Sequence, residues 1–411
     1  MDFNDTPQEA EFRAEVKAWL KANVPDQNQE VASAYSSRQN QAEALAKAKQ
    51  WQAKKAAAGY AAITWPTELG GLGGTPMQNV IYADEESKYV VPRGFFDIGL
   101  GMCIPTLIKH GTDAHRQRYV KPALYGEEVW CQLFSEPVAG SDLAGIRTRA
   151  EKDGDDWILN GQKIWTSGAH HADYGIIVTR SDPAVPKHQG LTFFFLDMKS
   201  PGVEVKPIKQ ISGGRNFNEV FFTDVRVPDS QRLGGVGEGW KVSLTTLMNE
   251  RLSAGRTLDA DMVEFIAMIK TFTMEDGSPA IKNADVRGKL ADWYAQGQGL
   301  KYTRFRTMTA LSKGQTPGPE ASIGKCVSAS RSQDYAAFAM ELMEMGGVVT
   351  DPDHSPQQGF FPESWILSPA MRIAGGTDEI LRNIIAERVL GLPGDVRVDK
   401  DMPFNELPTG A

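Results

Sequence analysis

The chain has 411 residues, long enough for about two or three domains and a large buried core. Hydrophobic residues make up 41% and charged residues 23%, the balance of a soluble globular protein, and a formal net charge of −8 argues against a nucleic-acid-binding surface. The three cysteines, Cys103, Cys131 and Cys326, are too far apart for a metal knuckle or a redox pair and suit a reducing, cytoplasmic setting.

The opening MDFNDTPQEAEF is acidic and lacks an apolar core, so it does not read as a signal peptide, and no apolar run reaches membrane-spanning length. Residues 1–130 carry a helical pattern. Phe12, Val16, Trp19 and Leu20 share a stripe that ends before Pro25, and the Ala/Lys/Gln-rich stretch 41–58 is a strong helix former. The loop ITWPTELGGLGGTP interrupts before further helix near 76–90 and 112–125.

From 131 to 237 the texture changes to strand. WILNGQKIWTS places Asn160-Gly161 between two β-prone runs, which predicts a type I′ hairpin turn there. YGIIVTR, LTFFFLDM, VEVKPI and FNEVFFTDVRVP follow at short spacing with no helical pattern between them, which predicts an antiparallel sandwich or barrel. GGVGEGW at 234–240 lacks the last glycine of a dinucleotide fingerprint and reads as a hinge. His170 and His171 are adjacent, so they do not face one ligand and read as a satisfied surface pair.

Residues 238–396 return to helix, with runs near 239–269, 284–313, 317–345 and 377–390 that predict a four-helix bundle. The tail 397–411, rich in Pro and Asp, reads as loosely held. The last run opens with a distinctive signal. In MRIAGGTDEIL, Thr377 is a helix N-cap, and Asp378 and Glu379 suit the positive first turn. Gly375 and Gly376 before it point either to a turn with positive φ or to something that approaches the backbone closely.

No Walker loop and no Gly-x-Ser-x-Gly elbow is present. The small and hydroxyl residues of CQLFSEPVAGSD, with Trp165 and Ser167 downstream, mark a candidate pocket for a planar ligand. With these motifs in order, the whole chain to Leu392 resembles the acyl-CoA dehydrogenase family. SEPVAGSD resembles that family's Thr/Ser-Glu-Pro-x-Ala-Gly-Ser-Asp signature. NGQKIWTS resembles its Asn-Gly-x-Lys-x-Trp-x-Thr/Ser segment, and GGTDEILRNIIAERVLG its closing Gly-Thr-x-Glu/Gln-Ile motif. The resemblance implies an α+β multidomain fold: an N-terminal helical domain, a middle β domain and a C-terminal four-helix bundle. It also implies FAD bound without a Rossmann fold.

By that resemblance, Gln132, Phe134 and Ser135 line one side of the flavin, with Trp165 and Ser167 at its reactive edge and Thr377 and Glu379 from the closing motif. Ser141 meets the pantetheine arm of an acyl-CoA, and Arg251 organises the substrate region. The implied reaction is α,β-desaturation of the acyl-CoA to a trans-2-enoyl-CoA, with electrons passed to an electron-transfer flavoprotein. Many members place the catalytic glutamate just before Gly-Thr, with its backbone N–H on the thioester oxygen. Here Gly375 holds that position, followed by Gly376, so the N–H is kept and the carboxylate is lost. The isovaleryl and long-chain subset carries its base on the first long bundle helix, directly before an arginine, and this chain has Asn249-Glu250-Arg251 there. On a helical period, Glu250 shares a face with Ser243, Thr246, Ala254 and Thr257, beside an apolar stripe of Leu244, Leu247, Met248 and Leu252. Glu250 is therefore the candidate base.

The family's Arg-x-x-Phe-Gly, which reaches a neighbouring subunit's FAD, is missing, leaving Arg287 as a substitute, and Gln-x-x-Gly-Gly is changed to Met343-Glu344-Met345-Gly346-Gly347. The partners implied are acyl-CoA, an electron-transfer flavoprotein, and either copies of this chain in a tetramer or a homologous partner subunit. Two other readings stand beside the dehydrogenase: a flavin-dependent monooxygenase on the same fold, and a non-catalytic subunit that completes a partner's FAD site.

Overall fold

The structure, a computed structural model, describes residues 5–25, 40–254, 260–313, 318–351, 353–397 and 399–408. The chain forms two compact units, one of Met1–Ser253 with Asp395–Ala411, the other of Ala254–Gly394.

The first unit begins with helices α1 (Pro7–Asn23), α2 (Gln41–Ala57), α3 (Pro76–Glu86), α4 (Ile104–His110), α5 (Asp113–His115) and α6 (Lys121–Leu124). A capping box of Thr6 and Glu9, with Pro7 at the first helical position, sets the start of α1. Phe12, Val16 and Leu20, one turn apart, bury its inner face against Trp51, Ile81 and Tyr82.

A seven-stranded sheet follows: β1 (Trp130–Leu133), β2 (Arg149–Asp153), β3 (Asp156–Ser167), β4 (Tyr174–Arg180), β5 (Leu191–Asp197), β6 (Val203–Pro207) and β7 (Phe217–Pro228). The spatial order is β1-β4-β2-β3-β7-β6, with β5 on β4. Most pairs are antiparallel as expected, but β1 and β2 both run parallel to β4. The connection from β1 to β2 is a long loop rather than a tight turn, so nothing forces β1 into a hairpin.

The expected turn at Asn160-Gly161 does not form. Residues 156–167 are one strand, and the turn lies six residues earlier, at Gly154-Asp155 between the paired Asp153 and Asp156. Asn160 is held in the sheet by exchanging hydrogen bonds with Asp224, at 3.0 and 2.9 Å. Gly161 supplies a bulge: its φ is +151°, and a Cβ there would come within 2.6 Å of Thr148 Oγ1. A bulge and a hairpin turn ask for the same glycine, and cross-strand pairing with β7 decides between them.

Helix α7 (Gly239–Ala254) closes the first unit's main chain. Its Val242 joins the core with Leu107 and Phe193, and Thr246 Oγ1 lies 2.9 Å from Thr106 Oγ1 of α4. The tail is not loose. Phe404 N–H donates to Val185 O at 3.0 Å and Asn405 N–H to Pro183 O at 2.9 Å, so residues 403–405 run along the segment after β4.

The second unit contains α8 (Ala260–Thr271), α9 (Ala284–Ser312), α10 (Ala321–Leu342), α11 (Phe360–Ile373) and α12 (Asp378–Ile384). The other four helices all pack on α10, around Phe265, Trp293, Tyr335 and Phe361. Two expectations change here. The run 239–269 is two helices, with residues 255–259 between them outside the described set. Helix α11, FFPESWILSPAMRI, lies outside the expected runs and contains Pro362 and Pro369. Pro362 falls in the first turn, where its missing N–H costs nothing. Among the described residues, no helix is long and apolar enough to cross a membrane.

Candidate active site

The predicted site residues divide between the two units. In the first, β1 delivers Gln132, half-buried, and the chain leaves the strand at Phe134-Ser135-Glu136. The Phe134 ring is buried and meets Phe193 edge-on at 5.8 Å, so only the main chain of Phe134 can serve a ligand. A buried ion pair fixes this corner. Lys163, fully buried, donates to Glu136 Oε1 at 2.8 Å and to Phe134 O at 3.0 Å. Glu136 also accepts the N–H of Arg147 at 2.6 Å and of Thr148 at 2.9 Å. Burial pushes the Glu136 carboxyl up, but the Lys163 charge and these donors outweigh it and hold it below the usual range. Ile164 N–H to Ser135 O at 2.8 Å completes the seam between the corner and β3.

Directly past that seam, the pairing of β3 with β7 is irregular between Lys163 and Thr166. Trp165 occupies the irregularity at φ +59°, which a large side chain rarely adopts. Its neighbours are pinned: Asn218 Nδ2 donates to Thr166 O at 2.8 Å, and Gly168 N–H donates to Asn216 O at 2.9 Å. The Trp165 ring is turned out of the sheet, 57% exposed, with Phe217 edge-on at 6.1 Å. A strained, exposed indole between two half-buried hydroxyl residues, Ser135 and Ser167, fits a flat ring with a polar edge, and so fits a flavin.

Ser167 also lines a cavity of about 30 Å³ with Phe95, Ile98, Trp130, His171 and Asn216. The histidine pair is not a plain surface pair. His170 Nδ1 lies 3.0 Å from Asn218 Oδ1, while His171 Nε2 is buried with no partner among the described residues. Burial, reinforced by the neighbouring His170, pushes the His171 ring down to about 4, so it is neutral at physiological pH. Sequence reasoning missed this group because adjacency excludes a shared ligand but says nothing about burial.

Ser141 is exposed in the loop between the Glu136–Ala139 turn and β2. Beside it, Asp142 Oδ2 accepts from Lys187 Nζ at 3.0 Å.

Glu250 is half-buried near the end of α7. The face it shares holds Ser243 and Thr246, both fully buried, as the helical period implies; Thr257 lies outside the described residues. The adjacent stripe is more open than expected, with Leu244 44% and Met248 51% exposed. The side chain of Arg251 lies outside the described set.

In the second unit, Gly375 and Gly376 have φ of +68° and +95° in succession. The glycine pair is thus required by the backbone. Lys325 Nζ donates to Gly376 O at 2.6 Å and secures the turn. Thr377 caps α12 through Ile380 N–H, and Asp378 is buried against Arg372 Nε at 2.7 Å. Glu379 is exposed. Arg287 is an exposed residue in the first turn of α9, and Glu344 of the altered glycine motif sits at φ +49°.

Three family descriptions match consecutive parts of the chain: "Acyl-CoA dehydrogenase, N-terminal domain" over residues 6–127, "middle domain" over 131–225 and "C-terminal domain" over 237–390. Acyl-CoA dehydrogenase FadE34 of Mycobacterium tuberculosis is 37% identical over 82% of this chain, which spans 45% of that protein. Acyl-CoA dehydrogenase IpdE1 of the same organism is 33% identical over 94% of this chain and 98% of its own length. Among solved structures, the Tcur3481-Tcur3483 steroid ACAD is 25% identical with a TM-score of 0.82, covering 96% of this chain and 100% of its own. The ChsE4-ChsE5 complex from Mycobacterium tuberculosis is also 25% identical, with a TM-score of 0.78 over 96% of this chain and 100% of its own. With every domain matched in order, the chain belongs to the acyl-CoA dehydrogenase family, FAD-dependent oxidoreductases.

Proposed function

We propose that this chain desaturates an acyl-CoA to the trans-2-enoyl-CoA with Glu250 as the α-proton base, and that an electron-transfer flavoprotein takes the electrons. The observation that carries the reading is a complementary pair of positions. Gly375 has a positive-φ backbone and no side chain where many members carry their base, and α7 bears a half-buried carboxylate at Glu250.

FAD, when bound, supplies the acceptor for the β-hydrogen, which leaves as hydride. The protein's own residues do the rest. Gln132, Ser135, Trp165 and Ser167 hold the ring system, with Thr377 and Glu379 from the closing motif, and the Phe134 main chain contributes at the corner. Ser141 receives the pantetheine arm, and Arg251 organises the substrate region beside Glu250. The Gly375 N–H donates to the thioester oxygen, where charge develops as the α-proton leaves. An unassisted carboxylate is a weak base for a carbon acid, so Glu250 needs that stabilisation and a dry surrounding to act.

The relatives' names support a bulky, polycyclic acyl group as the substrate, since one structural neighbour is titled a steroid ACAD. A side chain of hydrogen at Gly375 leaves volume beside the thioester for such a group. A homologous partner subunit is the assembly we favour. The missing Arg-x-x-Phe-Gly leaves the trans contact to FAD unfilled by this chain, and one neighbour is a complex of ChsE4 with ChsE5. The test is anaerobic titration of the purified flavoprotein with straight-chain and polycyclic acyl-CoA thioesters. Bleaching of the flavin bands by the polycyclic thioester supports the reading. A flavin that no thioester bleaches, but that reacts rapidly with oxygen once reduced, would instead favour a monooxygenase.

A further inference from the structure

The C-terminal segment 399–408 is tied to the loop that contains Ser141 through two cations. Lys187 Nζ bridges Asp399 Oδ2 at 2.6 Å and Asp142 Oδ2 at 3.0 Å, so one ammonium joins the tail to the residue next to Ser141. The second link is Arg180 at the end of β4, only 4% exposed. Its guanidinium donates to Lys187 O at 2.6 Å and to Ala144 O, three residues beyond Ser141. The ring of Phe404 lies over the guanidinium, 3.8 Å from its central carbon. Residues 403–405 are registered there by main-chain bonds to Pro183 and Val185.

These contacts form a sequence of cause. Phe404 covers one face of Arg180 and keeps water from it. A desolvated guanidinium makes stronger hydrogen bonds to carbonyls than a hydrated one. Arg180 thereby holds Ala144, and Lys187 holds Asp142, so the stretch directly after the exposed Ser141 is anchored at two points. A loop held in its bound geometry before the ligand arrives loses less entropy on binding.

We propose that the tail is a positioning strap for acyl-CoA: Asp399 and Phe404 act through Lys187 and Arg180 to preset the 139–145 loop for the coenzyme A arm. The proposal rests on the reading that Ser141 meets that arm. Neither tail residue touches substrate, so the expected signature is weaker binding with unchanged chemistry.

The test is calorimetric titration of the FAD-loaded protein with coenzyme A, for wild type, Phe404→Ala, Asp399→Asn and Ser141→Ala. Phe404→Ala is expected to raise the Kd for coenzyme A about fivefold, the fold-change of losing one desolvating aromatic contact. Asp399→Asn, at a partly exposed side chain that does not endanger folding, shifts it in the same direction. In turnover assays both raise KM for acyl-CoA and leave kcat and FAD content unchanged, and Phe404→Trp, which keeps an aromatic face, restores wild-type KM. If Ser141→Ala weakens coenzyme A while both tail variants bind as wild type, the strap is refuted and the placement of Ser141 stands. If all three bind as wild type, the loop does not meet coenzyme A and the underlying reading falls with the strap.

Discussion

Replacing Lys163 by methionine tests whether the flavin-side corner depends on a buried ion pair. Methionine keeps roughly the length and flexibility of the lysine stem, so the change removes a charge with little change in volume. It leaves Glu136, 6% exposed, without its cation, and leaves Phe134 O without its donor. Breaking a buried pair by removing one partner costs about 3–5 kcal/mol. Glu136 keeps the Arg147 and Thr148 amides, and hydrogen bonds to a charged group are worth about 1.5–3 kcal/mol each, so we expect a loss nearer ~2–4 kcal/mol at neutral pH.

The pH dependence gives the sharper test. In the wild type the Glu136 carboxyl is held below its ordinary value, so its contribution is present above that value and lost as pH falls through the folded one. In Lys163→Met, burial is opposed only by the more distant Arg180 and the two amides, with no paired cation, and raises the carboxyl. A raised folded value has the opposite sign: stability is fullest at acid pH and is lost as pH rises through it. The gap between the two proteins should therefore be widest near about pH 8 and narrow toward about pH 4.5. Urea unfolding followed by tryptophan fluorescence measures it, and adding Glu136→Gln to the variant should recover part of the loss. A gap below about 1 kcal/mol at neutral pH, or one that does not change with pH, would mean the pair does not carry the corner.

Trp165→Ala should release FAD and sharpen its visible spectrum, because an aromatic wall is lost; Trp165→Gly should bind FAD as poorly yet unfold about 1 kcal/mol harder than the alanine variant, since glycine relieves the +59° backbone. Equal unfolding midpoints for the two variants would remove the strain from the account. Glu250→Gln should keep FAD and acyl-CoA binding while turnover drops by ~10²–10⁴, and a wild-type rate of flavin bleaching would end Glu250's candidacy. His171 is held neutral down to about 4 against an ordinary 6.5, so its share of stability is present above 6.5 and lost as pH falls from there toward 4. The slope should be at most about 1.4 kcal/mol per pH unit, reduced because the residue is only partly buried, and His171→Phe should flatten it in pH-dependent urea titrations.

What the sequence made legible was local. The α1 stripe, the Thr377 cap and the change from helical to strand texture near residue 130 all follow from neighbours within a few residues, and all are in the structure. What it hid depended on partners far along the chain. Asn160-Gly161 carries a hairpin signature, and only Asp224, 64 residues away, keeps it inside a strand. α11 carries two prolines, Pro362 and Pro369, and the first is tolerated because it falls in the opening turn of the helix. The polar, Pro-rich tail has the composition of a loose end, yet Phe404 finds a buried guanidinium at Arg180, more than 200 residues earlier.

The site residues divide along the same line. Trp165 and Ser167 stand out as residue types, but the feature that makes Trp165 suited to a planar ligand is a positive φ created by irregular pairing with β7. Lys163 lies within the same quoted motif and is the most buried charge of the corner, yet a lysine in a strand carries no mark of burial until Glu136 is placed 2.8 Å from it. Gly375 and Gly376 show the reverse case, where local pattern posed two answers that are compatible. Both have positive φ, which glycine alone adopts without strain, and a residue chosen for that backbone also carries no side chain. With glycine at that position, the proposed desaturation needs a carboxylate from another element, and we propose Glu250 because it shares the α7 face of the buried Ser243 and Thr246.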